Sequence, residues 1–305
     1  MGVTLITGAS GFIGSHLVAD MRRRGLPIRP VSRREAPGIT KIGSYTAETD
    51  WQPHLQDVDH IVHLAARVHV MRETDADPLT AFRRANVDAT LNLARQAASA
   101  GVKRFIFMST IKVNGEETKP GKPFTNSDPP NPQDPYAISK AEAETGLAEI
   151  GQQSGMEFTI IRPPLVYGPG VGGNFATLLR WAKLGLPSIF PRVENKRSLI
   201  YVGNLTDFAI KALNHPGAAN RHFLVSDGTP LSTHQLVFKL LVACGNKPRS
   251  VPVPLTAFKW AGSIAGKEQM IERLLNSLEI DDRETRDTLS WNEPFGLEVS
   301  LRAGP

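Results

Sequence analysis

Cysteine is almost missing from this chain of 305 residues: Cys244 is the single one. An internal disulfide and a cysteine-built metal cluster are therefore excluded, and no metal site is expected. A lone thiol fits a reducing compartment, so a cytoplasmic location is expected. Long apolar runs are missing as well. Nothing approaches the roughly 18 consecutive apolar residues of a membrane-spanning helix. The apolar opening, residues 1–14, carries a glycine motif and lacks a basic leader, so it reads as a buried strand and turn rather than a signal peptide. No low-complexity tract or internal repeat appears, and charged residues are 21%, which argues against disorder. The net charge of +5 comes without any nucleic-acid recognition motif. Its basic residues are scattered, with Arg22, Arg23 and Arg24 closing a helix where cations complement the dipole. Nucleic acid is not expected as a partner.

What is present is a hydrophobic content of 41%, enough for one large core or a large and a small domain. Short apolar runs at 2–7, 27–32, 60–65, 104–108 and 158–161 read as buried strands. Between them, Ile13, Leu17 and Met21 mark a helix closed by Gly25. Val87, Leu91, Ala94 and Ala98 mark another, ended by Gly101, and a long helix is expected from Pro135 towards Gly151. Strands alternating with helices predict an α/β chain with a doubly wound parallel sheet, a Rossmann fold. After about residue 165, glycine and proline punctuate the chain and the helices at 174–184, 204–214 and 232–243 suggest a smaller C-terminal substrate lobe. The expected division is 1–165 for the nucleotide-binding domain and 166–305 for the lobe. A segment at about 199–225 is expected to return to the first domain, with 199–202 as a candidate strand of the main sheet.

Gly8, Gly11 and Gly14 follow the first strand and open the first helix. Glycines there allow a tight turn and let backbone approach a pyrophosphate at the positive end of the helix. Ser10, Phe12 and Ile13 share that turn and are counted with the glycines as cofactor contacts. The second strand ends Val31-Ser32-Arg33-Arg34, without the carboxylate that would bind the ribose diol of NAD. Arg33 suits a 2′-phosphate, so NADP(H) is favoured and NAD(H) stays open. The other reading of Arg33 and Arg34 is as solvated loop residues.

Tyr136 and Lys140 stand four residues apart on one helix face. A neighbouring ammonium favours phenolate, which predicts Tyr136 as an acid/base with its pKa brought towards working pH. Ser109-Thr110 closes a strand whose carboxyl end should face the ligand crevice, where a hydroxyl can bond the reacting oxygen.

With these motifs on one chain, the sequence resembles an extended short-chain dehydrogenase/reductase of the NAD-dependent epimerase/dehydratase family. Further marks are His63-Leu64-Ala65-Ala66, Asn86 to Thr90, Arg162 to Gly170, Ser277 to Asp281 and Leu289-Ser290-Trp291. The resemblance implies Thr110, Tyr136 and Lys140 as the catalytic set, with Lys140 also on the nicotinamide ribose. It implies Leu64, Ala65, Ala66 and Pro163 along the cofactor. It implies a UDP-sugar substrate, with Thr110, Lys112, Asn174, Phe175 and the diphosphate-pairing Arg197 in contact with it, and a homodimer. The adenine contact departs from the family, since Ile42-Gly43-Ser44-Tyr45 replaces its aspartate. Ile111-Lys112 follows Thr110 where dehydratases carry an Asp-Glu pair, which argues against dehydration. The stretch 109–116 is most similar to reductases of UDP-4-keto-6-deoxy-N-acetylhexosamines used in O-antigen, lipopolysaccharide, synthesis. An NADPH-dependent 4-ketoreductase is therefore the first expectation and an N-acetylhexosamine 4-epimerase the alternative. A non-catalytic NADP(H)-binding sensor or scaffold on the same fold is disfavoured by the presence of both Tyr136 and Lys140.

Overall fold

The computed structural model describes residues 2–68, 77–191, 193–254, 256 and 268–303. The strands β1 (Val3–Thr7), β2 (Ile28–Ser32), β3 (Thr40–Lys41), β4 (Val58–His63), β5 (Arg104–Met108), β6 (Glu157–Arg162) and β9 (Arg221–Leu224) form one sheet in the order β3-β2-β1-β4-β5-β6-β9. Every neighbouring pair is parallel. A parallel sheet needs helices on both faces, which is why β5 is buried along its whole length. One face is covered by α1 (Phe12–Arg23) and α7 (Val202–Ala212), whose Leu17, Val18, Met21, Leu205, Phe208 and Ala209 belong to one core. Leu93, Ala94 and Ala97 of α4 (Ala89–Ser99) and Ala143 and Leu147 of α5 (Pro135–Ser154) cover the other face. The basic end of α1 is tied into this packing rather than offered to a ligand, because Arg24 pairs with Asp20 and with Asp207 of α7 at 2.8–2.9 Å.

Strand order reverses between β1 and β4, so the carboxyl ends of β1, β4 and β5 border a crevice at the topological switch point. The short helices α2 (Gln52–Leu55) and α3 (Pro78–Arg83) sit in the connections on either side of β4. A second, smaller core lies beyond β6. It gathers Tyr167 of β7 (Leu165–Tyr167), Phe175, Leu178 and Leu179 of α6 (Gly173–Lys183), and Leu236, Val237 and Leu240 of α8 (Thr233–Ala243).

The strand expected at 199–202 is not part of the main sheet. Residues Leu199–Tyr201, β8, pair in parallel with β7 in a separate two-stranded sheet, and β9 is the strand that rejoins the large one. Pro163 and Pro164 interrupt the chain between β6 and β7. They have no N–H to donate to a ladder, so β7 leaves the sheet and takes β8 with it. Residues on both sides of position 165 share one core, since Ile200 and Leu205 pack with Leu17 and Met21. The helices α9 (Glu268–Leu275), α10 (Arg283–Leu289) and α11 (Leu297–Ala303) complete the described chain.

Candidate active site

The glycine turn has a steric reason at each end. Gly8 holds φ +67, and a Cβ there would sit 2.7 Å from the Ala65 nitrogen. A Cβ on Gly14 would sit 2.2 Å from the Gly8 carbonyl oxygen. Helix α1 starts at Gly11 with no side-chain cap, so the first-turn N–H groups of Phe12 and Ile13 are not claimed by a local side chain. This is the arrangement that takes up an anionic diphosphate. Ser10 is turned into the protein, its hydroxyl 2.5 Å from that of Ser32, which also accepts from the Arg34 N–H at 3.1 Å. Arg33, next along, is exposed. In the stretch that departs from the family, Ile42 is core and the Tyr45 hydroxyl is engaged by His63, which leaves Gly43 and Ser44 exposed.

His63 was only a family mark in the sequence; the structure gives it a role. It is fully buried, its Nδ1 is 2.7 Å from the Thr7 hydroxyl, and its Nε2 is 2.6 Å from the Tyr45 and 3.1 Å from the Thr90 hydroxyls. Burial first and the charge of Lys140 second hold its pKa well below the ordinary value, so it is neutral. Thr7 already accepts from the N–H groups of Leu64 and Ala65, each at 3.3 Å. Its own proton then goes to Nδ1, and the network assigns the ring proton to Nε2. His63 thereby fixes the strand ends that carry Gly8 and the Leu64-Ala65-Ala66 loop.

Helix α5 begins with Pro135 at its first position. The Asp134 side chain caps it by accepting from the Ala137 N–H at 2.7 Å. Tyr136 falls in the first turn and Lys140 one turn later on the same face. The Tyr136 ring meets Phe82 edge to face, centroids 6.1 Å apart. Lys140 is 2% exposed, and its ammonium stands 3.9 Å above the Phe107 ring. Burial pushes Lys140 down to about 7, with Glu144 opposing the shift. The Tyr136 phenol is pushed up, first by burial and then by the charge of Asp134. The expectation that Lys140 brings the phenol down is not met in the protein by itself: burial and the Asp134 carboxylate both act in the opposite direction.

The two hydroxyls after β5 differ in their engagement. Ser109 donates to buried Glu144 at 2.5 Å. Glu144 is in turn held by Arg162 (2.5 and 3.0 Å), whose Nη1 donates to Asn114 at 3.0 Å. That four-residue network ties the end of β5 to α5 and β6. Thr110 has extended backbone and is half-buried, its oxygen accepting from the Lys112 N–H at 3.3 Å. The carbonyl of Pro163 is taken by the Ile111 N–H at 3.0 Å, which fixes the Thr110 turn against the end of β6.

Asn86 carries a role that its place among the family marks does not assign. It lies in a π-turn, Arg84–Asp88, between α3 and α4. Its side chain accepts from the Arg67 N–H at 2.7 Å and donates to the Ser139 hydroxyl at 3.0 Å, and Ser139 donates to the Tyr136 carbonyl at 2.8 Å. Asn86 therefore ties the loop after β4 to the turn of α5 that carries Tyr136 and Lys140. An extra residue inserted into a helix commonly marks a functional position, a signal that only a careful count of the apolar spacing around Val87 would raise.

The remaining sequence assignments are placed differently. The Lys112 ammonium is committed to Glu116, at 2.8 Å, and to Asp134, so it braces the cap of α5 rather than presenting an uncompensated charge. Phe175 is buried and stacks on Tyr167 at 5.2 Å, which leaves only its backbone for a ligand. Asn174 is half-buried in the first turn of α6, after glycines 168, 170 and 173, all at positive φ. Arg197 pairs with Leu231 through both backbone groups, at 2.9 and 3.0 Å, and its Nη1 donates to the Asn276 carbonyl at 2.9 Å. Among the described residues, no group of three or more His, Cys, Asp or Glu could hold a metal ion, and no helix is long and apolar enough to cross a membrane.

Residues 4–226 match the family model described as the NAD dependent epimerase/dehydratase family. A UDP-glucose 4-epimerase of Vibrio cholerae is 41% identical over 304 residues, 98% of this chain and 93% of its own length. The crystal structure of the UDP-glucose 4-epimerase of Thermotoga maritima, with UDP-glucose, shares the fold at TM-score 0.78 and 23% identity, covering 99% of this chain and 97% of that one. The Thermus thermophilus UDP-glucose 4-epimerase in complex with NAD matches equally, at TM-score 0.78, 23% identity and the same coverage.

Proposed function

The chain belongs to the NAD-dependent epimerase/dehydratase family, and from that premise we propose that it is a nucleotide-sugar 4-epimerase. The observation that carries this reading is the 41% identity with a UDP-glucose 4-epimerase along nearly the whole chain. It moves the balance away from the 4-ketoreductase expected from residues 109–116. The turn at Gly8 and Gly14 and the uncapped start of α1 fit a dinucleotide, and Lys140 would hold the nicotinamide ribose. When bound, that cofactor would take a hydride from the sugar C4 and return it. Tyr136 would take the C4 hydroxyl proton as the alcohol becomes a ketone and give it back on reduction. The raised phenol is suited to donate to the ketone oxygen. Removing the alcohol proton is helped by a charged Lys140, and Thr110 would bond the same oxygen.

Arg33 and Arg34, with no carboxylate at the end of β2, favour a second reading: a 4-ketoreductase drawing on exchangeable NADPH. Incubating the protein with a panel of UDP-sugars, including 4-keto-6-deoxy compounds, while following NADPH oxidation separates the two. The epimerase reading expects interconversion without net oxidation. Identification of the dinucleotide released on denaturing the purified protein decides between NAD and NADP.

For the substrate we assign Arg197 to the diphosphate and Asn174 to its neighbourhood. A charge-assisted contact to phosphate is worth roughly 1.5–3 kcal/mol. Arg197→Ala is therefore expected to raise KM roughly 10- to 100-fold. UDP should compete with substrate in the native enzyme and lose most of its inhibition in the variant. Equal inhibition of both would remove Arg197 from the diphosphate site, and thermal melting of the variant controls for the lost bond to Asn276.

A further inference from the structure

The second lobe carries a surface that sugar-nucleotide chemistry does not use. Between Glu157 and Glu194, and again between Asp227 and Glu268, the sequence contains no acidic residue. Helices α6 and α8 lie in these two stretches and share one apolar core. The chain just beyond their C-terminal ends is stitched together. Asn246 donates to the Ala182 carbonyl at 2.8 Å, Ser188 N–H to the Arg249 carbonyl at 2.8 Å, and Val251 N–H to the Ser188 carbonyl at 2.9 Å. The stitching gathers exposed Arg180, Lys183, Lys247 and Arg249 with exposed aliphatics: Leu184 (74% exposed), Val242 (53%), Val251 (49%) and Leu186 (37%). None of these four cations has a carboxylate partner among the described residues, whereas Arg24, Arg83, Arg104, Arg162 and Arg286 elsewhere are all paired. Glu298 of α11 borders the patch, across a groove of about 190 Å³ from Lys239 and Val242.

We propose that this face docks on an anionic lipid bilayer, with the cations over the phosphate headgroups and the four aliphatics in the acyl boundary. A phosphate-rich nucleic acid would satisfy the cations but leave the aliphatics in water. A second copy of the same face, related by a two-fold axis, would set cation against cation. An anionic bilayer answers both features. The patch lies at the far end of α6 from Asn174. Asn174 lies six residues before Arg180 and nine before Lys183, roughly 9 and 14 Å along the helix, so docking leaves the candidate substrate contacts clear.

The test is flotation of the purified full chain with vesicles of phosphatidylglycerol and phosphatidylcholine, against vesicles of phosphatidylcholine alone. Binding is expected to the anionic vesicles only, and to fall as salt approaches about 1 M, where the screening length is about 3 Å. Each basic residue near an anionic surface contributes roughly fivefold, so Lys183→Glu with Arg249→Glu should weaken vesicle binding more than about tenfold. Leu184→Asp should weaken it too. Turnover of a soluble substrate should be unchanged in these variants, which keeps this outcome separate from the catalytic reading. Equal binding to both vesicle types, no binding, or full binding by Leu184→Asp overturns the proposal. So does a native dimer that these substitutions dissociate.

Discussion

Tyr136→Phe is expected to lower turnover by about 10²- to 10⁴-fold, the range that acid/base catalysis supplies, while dinucleotide affinity stays near native. The substitution removes one hydroxyl and keeps the ring that packs edge-on against Phe82. The capped start of α5, set by Asp134 and Pro135, does not depend on that hydroxyl. The loss should fall on kcat rather than KM, because the proton is moved only on the way to the transition state. A variant that keeps more than about a tenth of native turnover takes Tyr136 out of the mechanism.

Gly14→Ala is expected to abolish useful dinucleotide binding, with an affinity loss of at least about 100-fold, equivalent to roughly 2.7 kcal/mol. The added methyl would sit 2.2 Å from the Gly8 carbonyl and 2.8 Å from the Ala9 Cα. Both are backbone atoms, so relief requires opening the turn itself. Gly11→Ala supplies the graded comparison. Its methyl would approach the same carbonyl at 3.1 Å, a contact that a shift of a few tenths of an ångström relieves. Gly11 already has φ −77, which alanine adopts freely. Equilibrium binding of NAD and NADP to the native protein and both variants, with far-ultraviolet circular dichroism as a folding control, checks the order native, Gly11→Ala, Gly14→Ala. Native-like binding by Gly14→Ala would remove the glycine turn from the cofactor site.

The sheet and the helices that flank it were legible because burial on both faces of a parallel sheet imposes continuous apolar strands, and those runs alternate with helical spacing. The turn that holds Gly8 and the helix that holds Tyr136 and Lys140 were legible for a similar reason: their signals lie at short spacings within single elements. What escaped depends on contacts between segments far apart in sequence. Ser109 and Thr110 are adjacent and chemically alike. Only the buried pair of Glu144 with Arg162 distinguishes them, by engaging the Ser109 hydroxyl. Lys112, expected against the substrate from the resemblance, pairs with Glu116 and with Asp134, 22 residues away, a bond that no local pattern announces. Asn86 and His63 act across separations of 53 and 56 residues, to Ser139 and to Thr7, and no local pattern announces such a bond. The strand at 199–201 satisfied every local criterion. Its partner was decided upstream, where two prolines turn β7 out of the sheet.

The central claim is that one carbon of a nucleotide sugar is oxidised and then reduced within a single site. The most direct measurement starts from UDP-glucose carrying deuterium at C4, incubated with the purified enzyme in ordinary water without added reductant, and reads the position and configuration of the label by nuclear magnetic resonance. Formation of the C4 epimer is expected, with the deuterium still on C4 and no net change in dinucleotide redox state. Recovery of unchanged substrate across the panel of UDP-sugars, or a 4-keto sugar reduced only at the expense of stoichiometric NADPH, would contradict it.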